Sequence, residues 1–198
     1  MSVGRQAVFL DRDGTITVER GHVTSPEDLE MIEGAGKAIG RLNGAGLPVV
    51  VISNQSGVAR GLMTERDLAG IHASLEGLLE SEGARIDAAY YCPNYEGGSV
   101  ADYTGDTSCR KPATGMLEQA VRDLGIDVPS SFLVGDQITD LELARNAGMR
   151  GVLVMTGKGE RAKARAHERG VPIAHNAQDL SGAVDWILER LEKRGGRS

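Results

Sequence analysis

The sequence predicts an α/β fold in which a doubly wound, Rossmann-like parallel sheet is covered by helices on both faces. Short continuous apolar runs alternate with longer amphipathic segments along the chain. An apolar run that is too short for a helix is typical of a strand buried on both faces. Strands that alternate with helices form parallel sheets, because each helix returns the chain to the edge at which the next strand starts.

The elements follow one another in a regular order. The predicted strands are short, apolar and rich in β-branched residues, and they are residues 7–10, 47–54, 86–93, 131–136 and 151–155. The predicted helices have apolar residues at helical spacing or end at a glycine, and they are residues 35–45, 64–82, 114–125, 140–148, 157–170 and 180–194. Thr64 gives the clearest helix start, because Asp67 follows it three residues later as in a capping box.

Composition limits the classes of function. The chain has 198 residues, which suits a single domain over residues 1–198. Its net charge of −6 and its 4% of aromatic residues argue against a nucleic-acid partner. No apolar run is as long as a membrane span, and the N-terminus has no signal-peptide pattern. We therefore expect no membrane partner, a cytoplasmic location and, as the simplest state, a monomer.

Polar side chains directly follow the predicted strands. Asp11 and Asp13 follow the first strand, and Asp136 follows the fourth. Ligands of open parallel sheets bind beyond the carboxyl ends of the strands, so we expect these carboxylates to meet. Two carboxylates ~4 Å apart repel each other by roughly 4 kcal/mol at an effective dielectric constant near 20. Magnesium would remove this cost, because it takes oxygen ligands and is often shared with a phosphate group.

These residue types suit phosphoryl transfer. One carboxylate can attack phosphorus to form an aspartyl-phosphate, and the other can donate and accept the proton. Lys111 and the hydroxyl of Ser53 would hold the remaining phosphate oxygens. Taken singly, each of these residues is more often a turn, cap or surface residue. Their joint occurrence in this order favours a phosphate site.

Four segments in sequence, DRDGT, ISNQSG, CRKP and GDQITD, resemble the signature motifs of the haloacid dehalogenase superfamily of phosphatases. Longer stretches such as SNQSGVARG, YYCP and VGDQITDLELARNAG are similar to its histidinol-phosphatase-related family, which includes heptose bisphosphate phosphatases. The resemblance spans residues 8–158. It implies a fold without a large cap domain and a magnesium-dependent phosphatase that acts on a small phosphorylated sugar, with the 7-phosphate of a heptose 1,7-bisphosphate as the expected target.

The resemblance also implies a role for each matching residue. The expected catalytic residues are Asp11 as the nucleophile, Asp13 as the general acid and base, and Ser53 and Lys111 as stabilisers of the phosphoryl group. The expected magnesium ligands are Asp11, Asp136 and the backbone carbonyl of Asp13, with Asp140 behind them. The expected substrate-binding residues are Glu19, His22, Asn54, Gln55, Ser56 and Arg110.

The segment from Cys92 to Cys109 departs from the pattern of this family. Many relatives have a zinc clip made of Cys-x-His and Cys-x-Cys, whereas Asn94 and Thr107 occupy two of the four ligand positions here. Structural zinc takes four Cys or His ligands, so we expect no structural zinc. The two cysteines would approach each other if the loop keeps the path seen in the family. A reducing compartment disfavours a disulfide, and we expect turns and hydrogen bonds to close the loop.

Three other functions stay open on the sequence alone. The enzyme could act on histidinol phosphate or another small phosphomonoester. A signalling receiver domain also uses an aspartate, a metal, a hydroxyl and a lysine. However, its phosphorylated aspartate follows a middle strand, whereas the DRD segment follows the first strand here, and Asp13 supplies the acid and base that turnover needs. An inactive phosphosugar-binding relative is disfavoured because every core catalytic position is filled.

Overall fold

Six parallel strands form one sheet in the spatial order β3-β2-β1-β4-β5-β6. The computed structural model describes residues 4–195. The strands are β1 (Val8–Leu10), β2 (Val49–Asn54), β3 (Ala88–Cys92), β4 (Phe132–Gly135), β5 (Arg150–Val154) and β6 (His175–Ala177). The helices are α1 (Ala35–Gly44), α2 (Glu65–Ser81), α3 (Gly115–Leu124), α4 (Ile138–Ala147), α5 (Gly159–Arg169) and α6 (Leu180–Gly195). The predicted fold class is confirmed.

The strand order reverses at β1. The chain runs from β1 outward to β2 and β3, and then returns to the other side of β1 for β4, β5 and β6. Leu10, the last residue of β1, lies in register with Val51 of β2 and Val134 of β4. Ligands of doubly wound sheets bind at such a reversal, beyond the carboxyl ends of the strands. The residues that follow β1 therefore lie at the position where the fold favours a site.

The two faces of the sheet carry separate apolar layers. Val8 of β1 packs in one layer, to which α1 contributes Ile39 and α6 contributes Ile187. Phe9, the next residue of β1, packs in the opposite layer with Met116 of α3. Successive side chains of a strand point to opposite faces, so a continuous apolar strand requires helices on both sides. No helix within residues 4–195 is long and apolar enough to cross a membrane.

Five strands and all six helices were predicted from the sequence, with ends that shift by a few residues. Helix α4 begins at Ile138, two residues before the predicted start. The short strand β6 was not predicted, because the segment HNA has no apolar β-branched run. Its position depends on tertiary contacts: it pairs with β5, and the ring of His175 stacks on Trp186 of α6 with 4.9 Å between ring centroids.

A disulfide bond joins Cys92, the last residue of β3, to Cys109, and their Cα atoms are 5.5 Å apart. The expectation that only turns and hydrogen bonds close this loop was wrong, although Asp106 does accept hydrogen bonds from the backbone N–H and the hydroxyl of Ser108. Cys92 is fixed in β3, and the path of the loop carries Cys109 back to it. Because the two sulfur atoms are bonded to each other, neither cysteine is available as a thiolate ligand for a metal.

Candidate active site

Three buried carboxylates meet beyond the carboxyl ends of β1 and β4. Asp11 follows β1, Asp136 follows β4, and Asp140 lies in the first turn of α4. One carboxylate oxygen from each residue lies within 4.8 Å of those from the other two. None of the three residues is more than 3% exposed. The predicted meeting of Asp11 with Asp136 is therefore found in the structure, and Asp140 joins them.

The burial of these groups changes their titration. Removal from water raises the pKa of Asp11 to about 7, and the charges of Asp140 and Asp13 add to that effect, while Lys111 opposes it. Burial also raises the pKa of Asp136 to about 8, with further contributions from Asp11 and Asp140. Without a cation, burial and mutual repulsion therefore favour the neutral forms of these two carboxyl groups. A bound cation would stabilise the ionised form.

Lys111 lies within this cluster. Its Nζ atom is 2.9 Å from Oδ1 of Asp11 and 2.7 Å from Oδ1 of Asp140, and it donates a 2.9 Å hydrogen bond to the carbonyl oxygen of Ile52. Burial disfavours the charged ammonium, but Asp11 and Asp140 outweigh this effect and raise the pKa of Lys111. The lysine is therefore a fixed positive charge directly beside Asp11.

Asp13 is held apart from the three-carboxylate cluster. Arg12 donates to both of its carboxylate oxygens, and Thr17 and Gln55 donate one hydrogen bond each. Burial alone would raise the pKa of Asp13, but the charge and hydrogen bonds of Arg12, with those of Gln55 and Thr17, lower it. Any contribution of Asp13 to a metal would have to come from its backbone, since its carboxylate is already engaged.

Asp136 has the geometry of a metal ligand. Its Oδ2 accepts a 2.7 Å hydrogen bond from the backbone N–H of Lys158, whereas its Oδ1 is buried without a hydrogen-bond partner among the described residues. Two glycines with positive φ angles make room for it: a Cβ atom would lie 2.1 Å from Oδ2 at Gly14 and 2.2 Å from it at Gly157. A buried unpaired carboxylate oxygen beside other carboxylates fits a hard cation such as magnesium.

Asp140 contacts both the backbone and the buried lysine in this arrangement. Its Oδ2 accepts a 3.0 Å hydrogen bond from the backbone N–H of Gln137, which caps the start of α4. A Cβ atom at Gly135 would lie 2.3 Å from that same oxygen. With Oδ1 beside Lys111, both oxygens of Asp140 have neighbours within the protein. Its expected place behind the magnesium ligands stays a prediction, since one of its oxygens also belongs to the three-carboxylate cluster.

The carboxylate cluster opens into a cleft of about 340 Å³. Ten of the predicted residues line it, namely Asp11, Asp13, Glu19, His22, Ser53, Asn54, Gln55, Ser56, Arg110 and Lys111. Gly21, which lies between the predicted Glu19 and His22, also lines the cleft, as do three residues that were not predicted as site residues, namely Gln137, Thr139 and Lys158. Gln137 could have been chosen from its position next to Asp136. Lys158 comes to the cleft through the loop that follows β5.

Two lining residues make contacts that refine their predicted roles. The amide of Asn54 accepts a hydrogen bond from the backbone N–H of Lys111 and donates one to its carbonyl oxygen, at 2.9 and 3.1 Å. Asn54 therefore fixes the backbone that carries the lysine. Nε2 of Gln55 lies 2.8 Å from the hydroxyl of Ser53 and 2.9 Å from Asp13, so it links the two expected catalytic groups.

The rim of the cleft has an ion pair between Glu19 and Lys158, with 2.8 Å between Oε2 and Nζ. It joins the loop after β1 to the loop after β5 across the cleft. His22 lies nearby and is exposed. The rim therefore presents a carboxylate, an ammonium group and an imidazole ring to a ligand, whereas the floor presents carboxylates and the buried lysine.

An α/β sheet with an aspartate after its first strand, a buried lysine and a carboxylate after its fourth strand defines a hydrolase of the haloacid dehalogenase class. A family model described as HAD-hydrolase-like matches residues 108–180. The D-glycero-D-manno-heptose-1,7-bisphosphate 7-phosphatase of Thermosynechococcus vestitus is 45% identical over 194 residues, which are 96% of this chain and 99% of the relative. That of Escherichia coli K12 is 38% identical over 93% of this chain and 89% of the relative.

A solved structure gives the same relationship. The D,D-heptose 1,7-bisphosphate phosphatase from B. bronchiseptica, complexed with magnesium and phosphate, matches with a TM-score of 0.83 and 32% identity over 93% of this chain and 99% of that one. The chain belongs to the haloacid dehalogenase superfamily, in the family that contains these heptose bisphosphate phosphatases.

Proposed function

We propose that this protein is a magnesium-dependent phosphatase that removes the 7-phosphate of D-glycero-D-manno-heptose 1,7-bisphosphate through an aspartyl-phosphate at Asp11. The observation that carries the proposal is the position of Asp11 in the cleft, with Nζ of Lys111 2.9 Å from its carboxylate and Asp136 beside it. The names of the relatives support the choice of substrate, and the magnesium and phosphate of the solved relative support the choice of metal.

In the first step, a carboxylate oxygen of Asp11 attacks phosphorus, and the bond between phosphorus and the sugar oxygen breaks. Lys111 neutralises negative charge beside the nucleophile, and the Ser53 hydroxyl donates a hydrogen bond to a phosphoryl oxygen. Asp13 protonates the leaving sugar oxygen. Because the pKa of Asp13 is lowered in the free enzyme, the proton has to enter with the substrate, and a phosphate group with a second pKa near ~6 carries one in part of its population at neutral pH.

In the second step, water attacks the aspartyl-phosphate, and Asp13 accepts the proton that water loses. The bond between Asp11 and phosphorus breaks, which releases inorganic phosphate and restores the Asp11 carboxylate. Asp11, Asp136 and the backbone carbonyl of Asp13 would hold magnesium. When bound, magnesium supplies positive charge that offsets the charges of the phosphate and the carboxylates.

The test is phosphate release from heptose 1,7-bisphosphate and from histidinol phosphate, with magnesium and with excess chelator. We expect magnesium-dependent turnover and a strong preference for the heptose bisphosphate. Asp11→Asn should remove turnover and leave the far-ultraviolet circular dichroism spectrum unchanged. A preference for histidinol phosphate would overturn the substrate, and normal turnover by Asp11→Asn would overturn the mechanism.

The remaining expectations belong to this proposal. We propose that the chain acts as a single-domain monomer on a small sugar phosphate, in the cytoplasm, without a nucleic-acid or membrane partner. Sedimentation velocity at several protein concentrations tests the oligomeric state.

A further inference from the structure

A second, basic cleft lies beside the active site. It has a volume of about 780 Å³ and shares Gln137 and Lys158 with the active-site cleft. Its other polar lining side chains are Arg60, Tyr95, Arg161 and Arg165. No aspartate or glutamate lines it. We call this cleft, defined by Arg60, Lys158, Arg161 and Arg165, the basic groove.

The arginines of the basic groove have no carboxylate partner. Within residues 4–195, Arg60, Arg161 and Arg165 form no ion pair, whereas Lys158 pairs with Glu19 on the active-site side. Arg161 and Arg165 are four residues apart on α5, so they lie on the same side of the helix and repel each other. A protein surface that concentrates unpaired arginines in this way is suited to an anion.

Tyr95 stacks against the guanidinium group of Arg60, and both residues line the basic groove. The Cζ atom of Arg60 lies 4.3 Å from the centroid of the Tyr95 ring, and that of Arg110 lies 5.1 Å from the same centroid. Arg110 also donates a hydrogen bond to the carbonyl oxygen of Asn94. Stacking on an aromatic ring leaves the edge of a guanidinium free to donate hydrogen bonds. Arg60 can therefore bind an anion without having to be ordered first.

The opposite side of α5 shows what an ordinary solvated surface looks like in this chain. There, Lys163 and His167 line a surface depression together with Glu160 and Glu168. Charges of both signs alternate on that side, as on most exposed helices. The basic groove differs because its charges have one sign and because it continues directly into the active site.

We propose that the basic groove binds the second phosphate group of a sugar bisphosphate while the first phosphate lies against Asp11. This inference rests on the proposed function and extends it to the part of the substrate that does not react. A phosphate dianion accepts paired hydrogen bonds from guanidinium groups. Because Gln137 and Lys158 line both clefts, one extended sugar bisphosphate can occupy them together, and the groove selects bisphosphates over monophosphates.

The first test compares heptose 1,7-bisphosphate with heptose 7-phosphate for wild type, Arg161→Gln and Arg165→Gln. The loss of one charged hydrogen bond to phosphate should raise the KM for the bisphosphate about tenfold relative to the KM for the monophosphate. It should change kcat little, because the second phosphate does not react. Lys163→Gln, which removes a positive charge from the other side of α5, should leave both KM values unchanged. A parallel rise in both KM values, or no rise, would overturn the proposal.

A second measurement separates this proposal from the identity of the sugar. Hexose 1,6-bisphosphate and hexose 6-phosphate are compared as inhibitors of p-nitrophenyl phosphate hydrolysis by wild type and by the Arg161→Gln/Arg165→Gln double variant. Tighter inhibition by the bisphosphate in wild type alone, and weakening of that preference by added salt, supports the basic groove even if the heptose proves to be the wrong substrate. Hydrolysis of heptose bisphosphate with an unchanged preference in the double variant overturns the groove and leaves the proposed function standing.

Discussion

The guanidinium group of Arg12 binds both carboxylate oxygens of its neighbour Asp13, with Nε 2.9 Å from Oδ1 and Nη2 2.8 Å from Oδ2. Both side chains are largely removed from water. Burial raises the pKa of Asp13, but Arg12 is the largest of the opposing influences, and the net result is a lowered pKa. In the free enzyme, Asp13 is therefore a carboxylate that is ready to accept a proton from water.

Arg12 should set the acid limit of activity. Arg12→Gln removes the adjacent charge and its hydrogen bonds, which should raise the pKa of Asp13. At saturating magnesium, which favours the ionised form of Asp11, the acid limb of the profile of kcat against pH should then move to higher pH. Arg20→Gln is the control, because Arg20 is an exposed arginine that pairs with Glu30 away from Asp13. An acid limb that stays in place in Arg12→Gln would contradict this assignment.

Loss of the Lys111 charge should lower the free energy of unfolding more at high pH than at low pH. In Lys111→Met, the carboxylates of Asp11 and Asp140 lose their buried cation. Breaking one partner out of a buried pair costs about 3–5 kcal/mol. The raised pKa of Lys111 means that the lysine of wild type is charged at both pH 5 and pH 8. In the variant, the pKa of Asp11, which is already about 7, rises further, so at pH 5 Asp11 is neutral and the loss is smaller.

Urea unfolding at about pH 5 and about pH 8 measures this difference. The free energy of unfolding of Lys111→Met should fall well below that of wild type at the higher pH and less at the lower pH. Lys37→Met, at an exposed position of α1, should lose little at either pH. An equal loss in Lys111→Met at both pH values would show that packing of the side chain, and not its charge, accounts for the effect.

Magnesium should stabilise the protein more as pH rises. The pKa values of Asp11 and Asp136 are raised to about 7 and about 8. A raised carboxyl pKa favours folding below the pKa of the unfolded state, and that contribution is lost as pH rises through the pKa of the folded state. Metal binding needs the ionised carboxylates and so releases protons below about pH 8. The increase in Tm caused by magnesium should be larger at pH 8.5 than at pH 6, and chelator should reverse it. Equal increases at the two pH values would contradict the raised pKa values.

Site residues that directly follow predicted strands could be located from the sequence. Asp11, Asp136 and Lys111 could be predicted because their order along the chain and the carboxyl edge of a parallel sheet together define a phosphate site. Lys158 could not, because its place on the rim depends on how the loop after β5 packs against the loop after β1. The hydrogen bonds between Asn54 and the backbone of Lys111 could not be predicted either, since they join the last residue of β2 to a loop residue 57 positions away.

The disulfide should stabilise the loop that carries Arg110. Cys92 and Cys109 are 17 positions apart in the sequence, and closure of a loop of this size contributes ~3 kcal/mol by restricting the unfolded chain. Reductant should therefore lower the Tm of wild type and leave that of the Cys92→Ser/Cys109→Ser variant unchanged. Thiol alkylation of the unfolded protein, read by mass, counts the free cysteines in parallel. A wild-type Tm that does not respond after complete reduction would exclude a stabilising role.

Gly14 should be required for the metal site and not only for the turn. Its φ angle is +83°, and a Cβ atom there would lie 2.1 Å from Oδ2 of the buried Asp136. Gly34 has a nearly equal φ angle of +82°, but a Cβ atom there would meet nothing within 4 Å. Ala at either position carries the cost of a left-handed backbone, roughly 1–2 kcal/mol. Only Gly14→Ala also displaces the carboxylate.

Magnesium dependence separates the two effects. Gly14→Ala and Gly34→Ala should lower the Tm of the metal-free protein, and Gly34→Ala should keep the magnesium-induced increase in Tm of wild type. Gly14→Ala should lose most of that increase and need at least about tenfold more magnesium for half-maximal phosphate release, which corresponds to ~1.4 kcal/mol of binding free energy. If the two variants respond to magnesium alike, displacement of the Asp136 carboxylate has no effect on metal binding. Asp136 would then not be a ligand of the metal, contrary to what its unpaired Oδ1 indicates.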